Sequence, residues 1–446
     1  MGALKAGSRP ADDGRLSGQE AAWTMTEAAN EPYFNLVQRY VFAPYFAATL
    51  ASSQAEGASL WAFALGAVGL AIAVLAPVLG SIADSGSRLK PWLAAVSIVT
   101  ALFAASLWFA TPDVSLWLVL IVVFVAGVSV ELMNQFANAF LPGVANPRRY
   151  GMLSGIAFGF SQLAGIAVLL IIIAVGRNPP AFLADVPNAV DRLAGPIAAV
   201  AVALFIVPFL LVARETGVAR DVSVRGGLRD LRATLKEAWA DRNMRFFLIS
   251  RMISADGMAI VFGFGAVLAA VSFGWKADSL AIFGIIITVF GAIGGFLGGW
   301  LDRIIGSRLL ILWGIALLAF GAASVLLTDE ARLFGISTGV SLGAPLSTPQ
   351  EWGFLGSGAI IAVGAAFALS GMRALMALLA PAGKVAAFFG LYAFVGKATA
   401  FVGPFLVGVI AATTGSVRPG IGIAVLFLMI GFAAMVVVRS PNARVA

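Results

Sequence analysis

Runs of about twenty apolar residues recur along this chain, and they constrain its fold more than any other feature. Twenty residues of helix, rising 1.5 Å each, cover ~30 Å, the thickness of a bilayer's hydrocarbon core. In that medium every backbone amide and carbonyl needs a partner within the protein, so each run must be a helix. A membrane barrel is excluded, because its strands alternate in character and give no such runs. Composition agrees: 60% of the 446 residues are apolar and only 11% are charged, against roughly a quarter charged in a soluble domain. The chain has no Cys and no His. That removes disulfides, thiolate and imidazole catalysis, and most zinc or haem ligation. We therefore expect an all-α membrane protein that is not an enzyme, with no cofactor and no metal site. Any proton handling must rest on carboxylates.

Apolar runs bounded by Gly, Pro and charge predict twelve transmembrane helices, at 22–50, 59–83, 91–110, 114–140, 152–175 and 195–213, then 245–271, 279–302, 308–328, 353–380, 386–412 and 420–439. The first is the least regular, because Glu27, Glu31 and Arg39 interrupt it. The expected organisation is a tail at 1–21, a six-helix bundle at 22–213, a linker at 214–244, a second bundle at 245–439 and a tail at 440–446. The N-terminal tail is polar, with no apolar core and no small-residue cleavage site, so the first span is expected to direct the chain to the membrane. Twenty Lys and Arg fall in the tails, the linker and the loops on their side, and five (Arg177, Arg192, Lys276, Arg332 and Arg418) in the opposite loops. Basic residues stay cytoplasmic. Both termini and the linker are therefore expected in the cytoplasm. The net charge of +7 follows from this bias, and no nucleic-acid partner is implied. Within the linker, Leu228, Leu231, Leu235 and Ala238 recur at helical spacing among charges. That pattern fits an amphipathic helix on the membrane surface; a solvated tether fits equally.

The two halves repeat. Gly80, Asp84, Gly86, Arg88 and Lys90 follow the second span, and Gly298, Asp302, Gly306 and Arg308 follow the eighth in the same order. A second match sets Pro142, Arg148, Arg149 and Gly151 against Pro381, Lys384 and Gly390. Glycine allows tight turns and close helix approach, a carboxylate suits a helix N-terminus, and Arg and Lys can pair across halves. Contacts of this kind form in one packing of the halves and break in another, as a gate requires. For the basic residues alone, the positive-inside bias is an equally good account.

These residues resemble the major facilitator superfamily. Further segments, Tyr40–Phe46, Asn138–Pro142, Ser254–Gly257 and Phe388–Lys397, are similar to its vacuole effluxer branch, related to the autophagy-linked amino-acid effluxers of fungi and with many bacterial members. The resemblance runs from about Trp23 to Val438. It implies a secondary transporter exporting small solutes, with neutral amino acids the substrates attributed to fungal members. The branch often carries Asp-Trp-Ala early in the first span, where this chain has Glu27-Ala-Ala: the acid is kept and the aromatic lost.

Charges inside spans are functional candidates, because each costs about 2.5–3.5 kcal/mol to insert at mid-helix. These are Arg39, Glu131, Arg251, Asp256 and Lys397, with Glu27 as a counterpart of Asp256 in the other half. Asp256 and Glu131 suit a proton or a substrate ammonium; Arg39 and Lys397 suit a substrate carboxylate. Asn134 and Asn138 continue the Glu131 stripe. Structural ion pairs and helix-packing amides are the competing account of the same residues, and Arg251 lies near enough to a span end to snorkel. The expected partners are a small-molecule solute, protons and membrane lipid, for a monomer. A lipid or drug-like substrate, or a non-transporting receptor or scaffold, remains the alternative.

The orientation is directly testable in this cysteine-free chain. An Arg220→Cys variant should react with an impermeant thiol reagent only from the cytoplasmic face, and Arg332→Cys only from outside. Labelling of the first in intact cells would reverse the topology.

Overall fold

The structure, a computed structural model, describes residues 16–85, 88–214, 224–275, 277–343, 345–399, 402–414, 416 and 418–439. Gly86 and most of the two tails lie outside the described residues. Ten helices among them are long and apolar enough to cross a membrane. The second span is Gln54–Ser85, the third Lys90–Ser106, the fourth Leu116–Ala139, the fifth Tyr150–Arg177 and the sixth Ala194–Val212. The seventh is Arg242–Phe273, the eighth Ala277–Ile305, the ninth Ser307–Leu326, the tenth Pro349–Leu379 and the twelfth Arg418–Val437.

The first and eleventh spans are interrupted. Helical turns run from Gly18 to Leu50, but short α-helical pieces alternate with 3-10 and π turns. Pro32 and Pro44 each remove an amide donor from this run, which prevents a continuous ladder. Its Trp23 Nε1 donates to Ala137 O at 2.8 Å and Tyr33 OH to Val123 O at 3.2 Å, fastening it to the fourth span. The eleventh span comprises Val385–Lys397 and Val402–Thr414. With these two, the arrangement is consistent with twelve crossings.

The halves meet along two matched contacts: the second span packs on the eleventh, and the eighth on the fifth. Both are glycine seams. A Cβ on Gly155 would lie 2.5 Å from Gly295 O and Gly299 Cα, and one on Gly390 would lie 2.5 Å from Ala76 O. Only a residue without a side chain lets the backbones come this close, which is how helices associate where water gives no hydrophobic drive. Gly298 instead faces Phe367 of the tenth span. Gly306, with φ of 78°, turns the chain sharply between the eighth and ninth spans.

The linker contains a helix, Val224–Ala240. It packs against the second, seventh and eleventh spans, with Thr234 and Ala238 buried and Leu235 and Trp239 exposed. The expected apolar face is thus divided: Ala238 turns inward and Leu235 outward. On the opposite side of the molecule, Arg332–Leu333 pairs with Ile336–Ser337 in a short antiparallel hairpin. Glu351 anchors the loop after it, accepting from Trp275 Nε1 at 2.7 Å, Leu346 N at 2.9 Å and Ser347 N at 3.0 Å.

Substituting Gly155 by Val should cost about 1–3 kcal/mol of stability through overpacking, read as a lowered Tm. Gly66→Val, where a Cβ meets nothing within 4 Å, should stay within about 0.5 kcal/mol of the parent. Equal effects at the two sites would remove the seam.

Candidate functional site

The repeated loop residues gather on the linker side of the structure. Asp84, at the end of the second span, accepts from Ala386 N at 3.1 Å and Ala387 N at 2.7 Å. Those amides open the eleventh span, so the carboxylate sits on the positive end of a helix in the other half. The pseudo-equivalent Asp302 packs against Gly151 in the first turn of the fifth span. The basic members act differently. Lys90 Nζ donates to Ala213 O at 3.2 Å, just past the sixth span. Arg308 Nη2 donates to Val436 O at 2.7 Å, at the end of the twelfth. Each satisfies carbonyls at a helix C-terminus of its own half. Arg88 is exposed.

Deeper in the bundle, two ion pairs bridge the halves, each with its acid in the first half and its base in the second. Arg373 of the tenth span grips both oxygens of Glu27 in the first through two guanidinium nitrogens. The Arg373 side chain is 7% exposed. Lys397 Nζ donates to Glu131 Oε1 at 2.8 Å, joining the eleventh span to the fourth, and the Lys397 side chain is 40% exposed. Glu131 lies fifteen residues into its 24-residue helix, or ~22 Å from its start. The first pair is sealed; in the second, the lysine side chain is exposed and Glu131 is mostly buried.

Around them lie the other predicted residues. Asn138 Nδ2 donates to Asn134 Oδ1 at 3.0 Å, so the two amides engage each other one turn apart. Arg39 is held on its own span by Glu31 Oε1 at 2.8 Å and Asn35 Oδ1 at 3.0 Å, with half of its side chain exposed. Arg251 stacks on Tyr392 of the eleventh span, its Cζ 4.6 Å from the ring centroid. Asp256 falls near the middle of the 32-residue seventh span. It is 5% exposed, and its Oδ1 has no hydrogen-bond partner. Thr399, just past the first piece of the eleventh span, lies beside that carboxyl. The Thr399 hydroxyl likewise has no hydrogen-bond partner.

Two contributors escape the sequence reading. Gln135 Nε2 donates to Ala76 O at 2.8 Å and Ala386 O at 3.3 Å, tying the fourth span to the second and eleventh at the gate. It stands one turn from Glu131, on the stripe already singled out. Arg373 could have been found by counting: of 29 basic residues, twenty on one side and five on the other leave four inside spans, and it is the fourth.

On the side away from the linker a cavity of about 560 Å³ opens, walled mostly by the second half, and none of Glu131, Lys397, Asp256 or Arg39 lines it. Its walls include Tyr40 of the first span, Phe262 of the seventh, Phe283 and Thr288 of the eighth and Phe354 of the tenth. The wall is mainly apolar and aromatic. Helix caps, glycine seams and a buried ion pair thus join the two halves on the linker side.

Removing one partner of the sealed pair leaves a buried charge, at about 3–5 kcal/mol. Arg373→Met should lower Tm strongly and Glu27→Gln/Arg373→Met much less. A double variant as unstable as the single would deny the coupling.

Comparisons with known proteins agree with this architecture. The family described as "vacuole effluxer Atg22 like" matches residues 148–446. An uncharacterised MFS-type transporter of Bacillus subtilis, YxiO, is 23% identical over 428 residues, 94% of each chain. Autophagy-related protein 22-2 of Aspergillus niger is 30% identical over 207 residues, 45% of this chain but 33% of its own length. The fungal relatives are thus matched over only about a third of their length. Among solved structures, the human organic anion transporter MFSD10 superposes with a TM-score of 0.70 at 13% identity, covering 96% of this chain and all of its own. The transporter FucP in its outward conformation gives 0.69 at 14%, covering 95% and 98%. At such identities these establish the fold alone.

Proposed function

Because the chain belongs to the Atg22-like vacuole effluxer family of major facilitator transporters, we propose that it exports a small zwitterionic solute, a neutral amino acid, by alternating access. Family and fold are those of multi-pass membrane transporters, not enzymes. The observation that carries the substrate reading is the accessible Glu131–Lys397 pair at bilayer depth. An amino acid brings its own ammonium and carboxylate. It can therefore replace the pair without leaving either charge alone, the ammonium on Glu131 and the carboxylate on Lys397. An anion or a cation alone would strand one partner in a low-dielectric site, which is costly. Arg39, half exposed, supplies a second carboxylate contact on the route outward.

Opening the linker side requires Asp84 to leave the eleventh span and Glu27 to leave Arg373. Substrate exchange at the central pair lowers the cost of that separation, because Glu131–Lys397 no longer clamps the halves. Coupling to protons runs through Asp256. A carboxylate this deep, with an oxygen lacking a hydrogen bond, is a place to load and release a proton as access switches sides. Charged groups on the elements packed against its span include Arg242, Arg245 and Arg251 on the seventh span itself, Lys397 on the eleventh, Arg373 and Glu351 on the tenth and Arg418 on the twelfth. We place both chain ends and the linker in the cytoplasm of a bacterial cell membrane, on the charge bias of the loops. The working unit is taken as a monomer with one solute path.

One observation favours a second reading. The apolar wall of the outward cavity suits a lipid-like or drug-like solute as well as an amino-acid side chain.

Liposome uptake separates these readings. With the purified chain, labelled neutral amino acids should accumulate, faster under an imposed pH gradient. Lys397→Met should reduce the rate at least tenfold, and Asp256→Asn should abolish the response to pH while leaving exchange of solute for solute. Amino-acid transport unaffected by Lys397→Met would end the pair-exchange reading. Transport of apolar compounds only would favour the second.

A further inference from the structure

The linker helix carries one surface that the transport cycle leaves unused. Arg232, Leu235, Lys236 and Trp239 are all exposed. At 100° per residue they fall within about 100° of arc, opposite the buried Thr234 and Ala238. Basic and apolar side chains therefore alternate along a single outward stripe. The height of that stripe is fixed by connectivity. Trp239 comes three residues before Arg242, where the seventh span begins, and Arg245 Nη1 caps the helix by donating to Trp239 O at 3.2 Å. The indole is thus held beside the membrane boundary, the level at which Trp side chains anchor.

We propose that this stripe is a docking surface for anionic phospholipid headgroups. Arg232 and Lys236 meet the phosphates, and Leu235 and Trp239 enter the headgroup–acyl boundary, the division of labour of an interfacial helix. Charge complementarity selects the occupant: the surface offers cations and apolar groups, and the linker 214–244 carries seven basic residues. The consequence follows from the opposite face. That face packs on the second and eleventh spans, and Glu237 Oε2 accepts from Lys384 Nζ at 2.6 Å. Lys384 immediately precedes the helix that Asp84 caps. A headgroup layer that holds the stripe therefore also presses the helix onto the closed gate. This depends on the fold and on the membrane boundary, and not on which solute is carried.

The test uses the full chain, which has no native Cys. A polarity-sensitive fluorophore on Ala240→Cys would be read in phosphatidylcholine vesicles and in vesicles with 30% phosphatidylglycerol. The anionic vesicles should give a blue shift and stronger quenching by lipid-borne nitroxide, and high salt should reduce both. Arg232→Gln/Lys236→Gln should abolish the difference between compositions. The phosphatidylglycerol retained by the purified protein should fall about tenfold or more with the double variant. Both substitutions lie away from the packed face, and an unchanged Tm checks that the variant is folded. Identical emission in the two compositions, or a lipid difference that survives the double variant, would overturn the proposal. So would a shift in phosphatidylcholine produced by ~10 mM inorganic phosphate, which would identify a free anion as the ligand.

Discussion

A charge at bilayer depth must find a partner, and in this protein the two bridging pairs find theirs in the opposite half of the molecule. Glu27 and Glu131 belong to the first half, Arg373 and Lys397 to the second. Neither bundle alone satisfies these groups, so electrostatics in a low dielectric enforces the association of two units that have no hydrophobic reason to adhere inside lipid. The depth of each pair then sets its role. The bidentate one is buried, whereas at the single contact the Lys397 side chain is exposed.

Around this centre the repeat supplies a closure on two sides of a pseudo-symmetric axis. Asp84 on the eleventh span and Asp302 on the fifth are the same device used twice, a carboxylate meeting the start of a helix from the other half. The glycines beneath them bring the backbones near enough for those contacts to form. Lys90 and Arg308 finish the same loops by satisfying the carbonyl ends of the sixth and twelfth spans. The loop pattern thus combines a contact between halves with one inside each half.

Much of this was legible in the sequence, because membrane spans announce themselves through apolar length and orientation through basic residues. The second, fourth and seventh spans, the duplicated loops and the charges Glu131, Asp256 and Lys397 all follow from such local signals. Partnerships do not. Nothing in the residues between them says that Glu131 meets Lys397, 266 positions away, or that Glu27 meets Arg373. Arg39 illustrates the converse, since its partners, Glu31 and Asn35, are on its own helix at short range. The linker helix shows a further limit. Its apolar periodicity marks a helix, but a face that touches protein and a face that touches lipid look alike in hydropathy, so Leu235 and Ala238 cannot be separated until the neighbours are placed.

The central claim is that two bundles, joined across a polar centre, rock between a closed and an open linker side. Paired spin-label distances in liposomes measure this most directly. One pair, Arg148→Cys with Arg439→Cys, spans the linker-side mouth; the other, Asp113→Cys with Arg332→Cys, spans the opposite mouth. All four residues are exposed. The account predicts two populations at each mouth that change reciprocally, the linker-side distance widening as the other narrows, with solute shifting their ratio. A single unchanging distance at both mouths, with and without solute and at every pH, would contradict it.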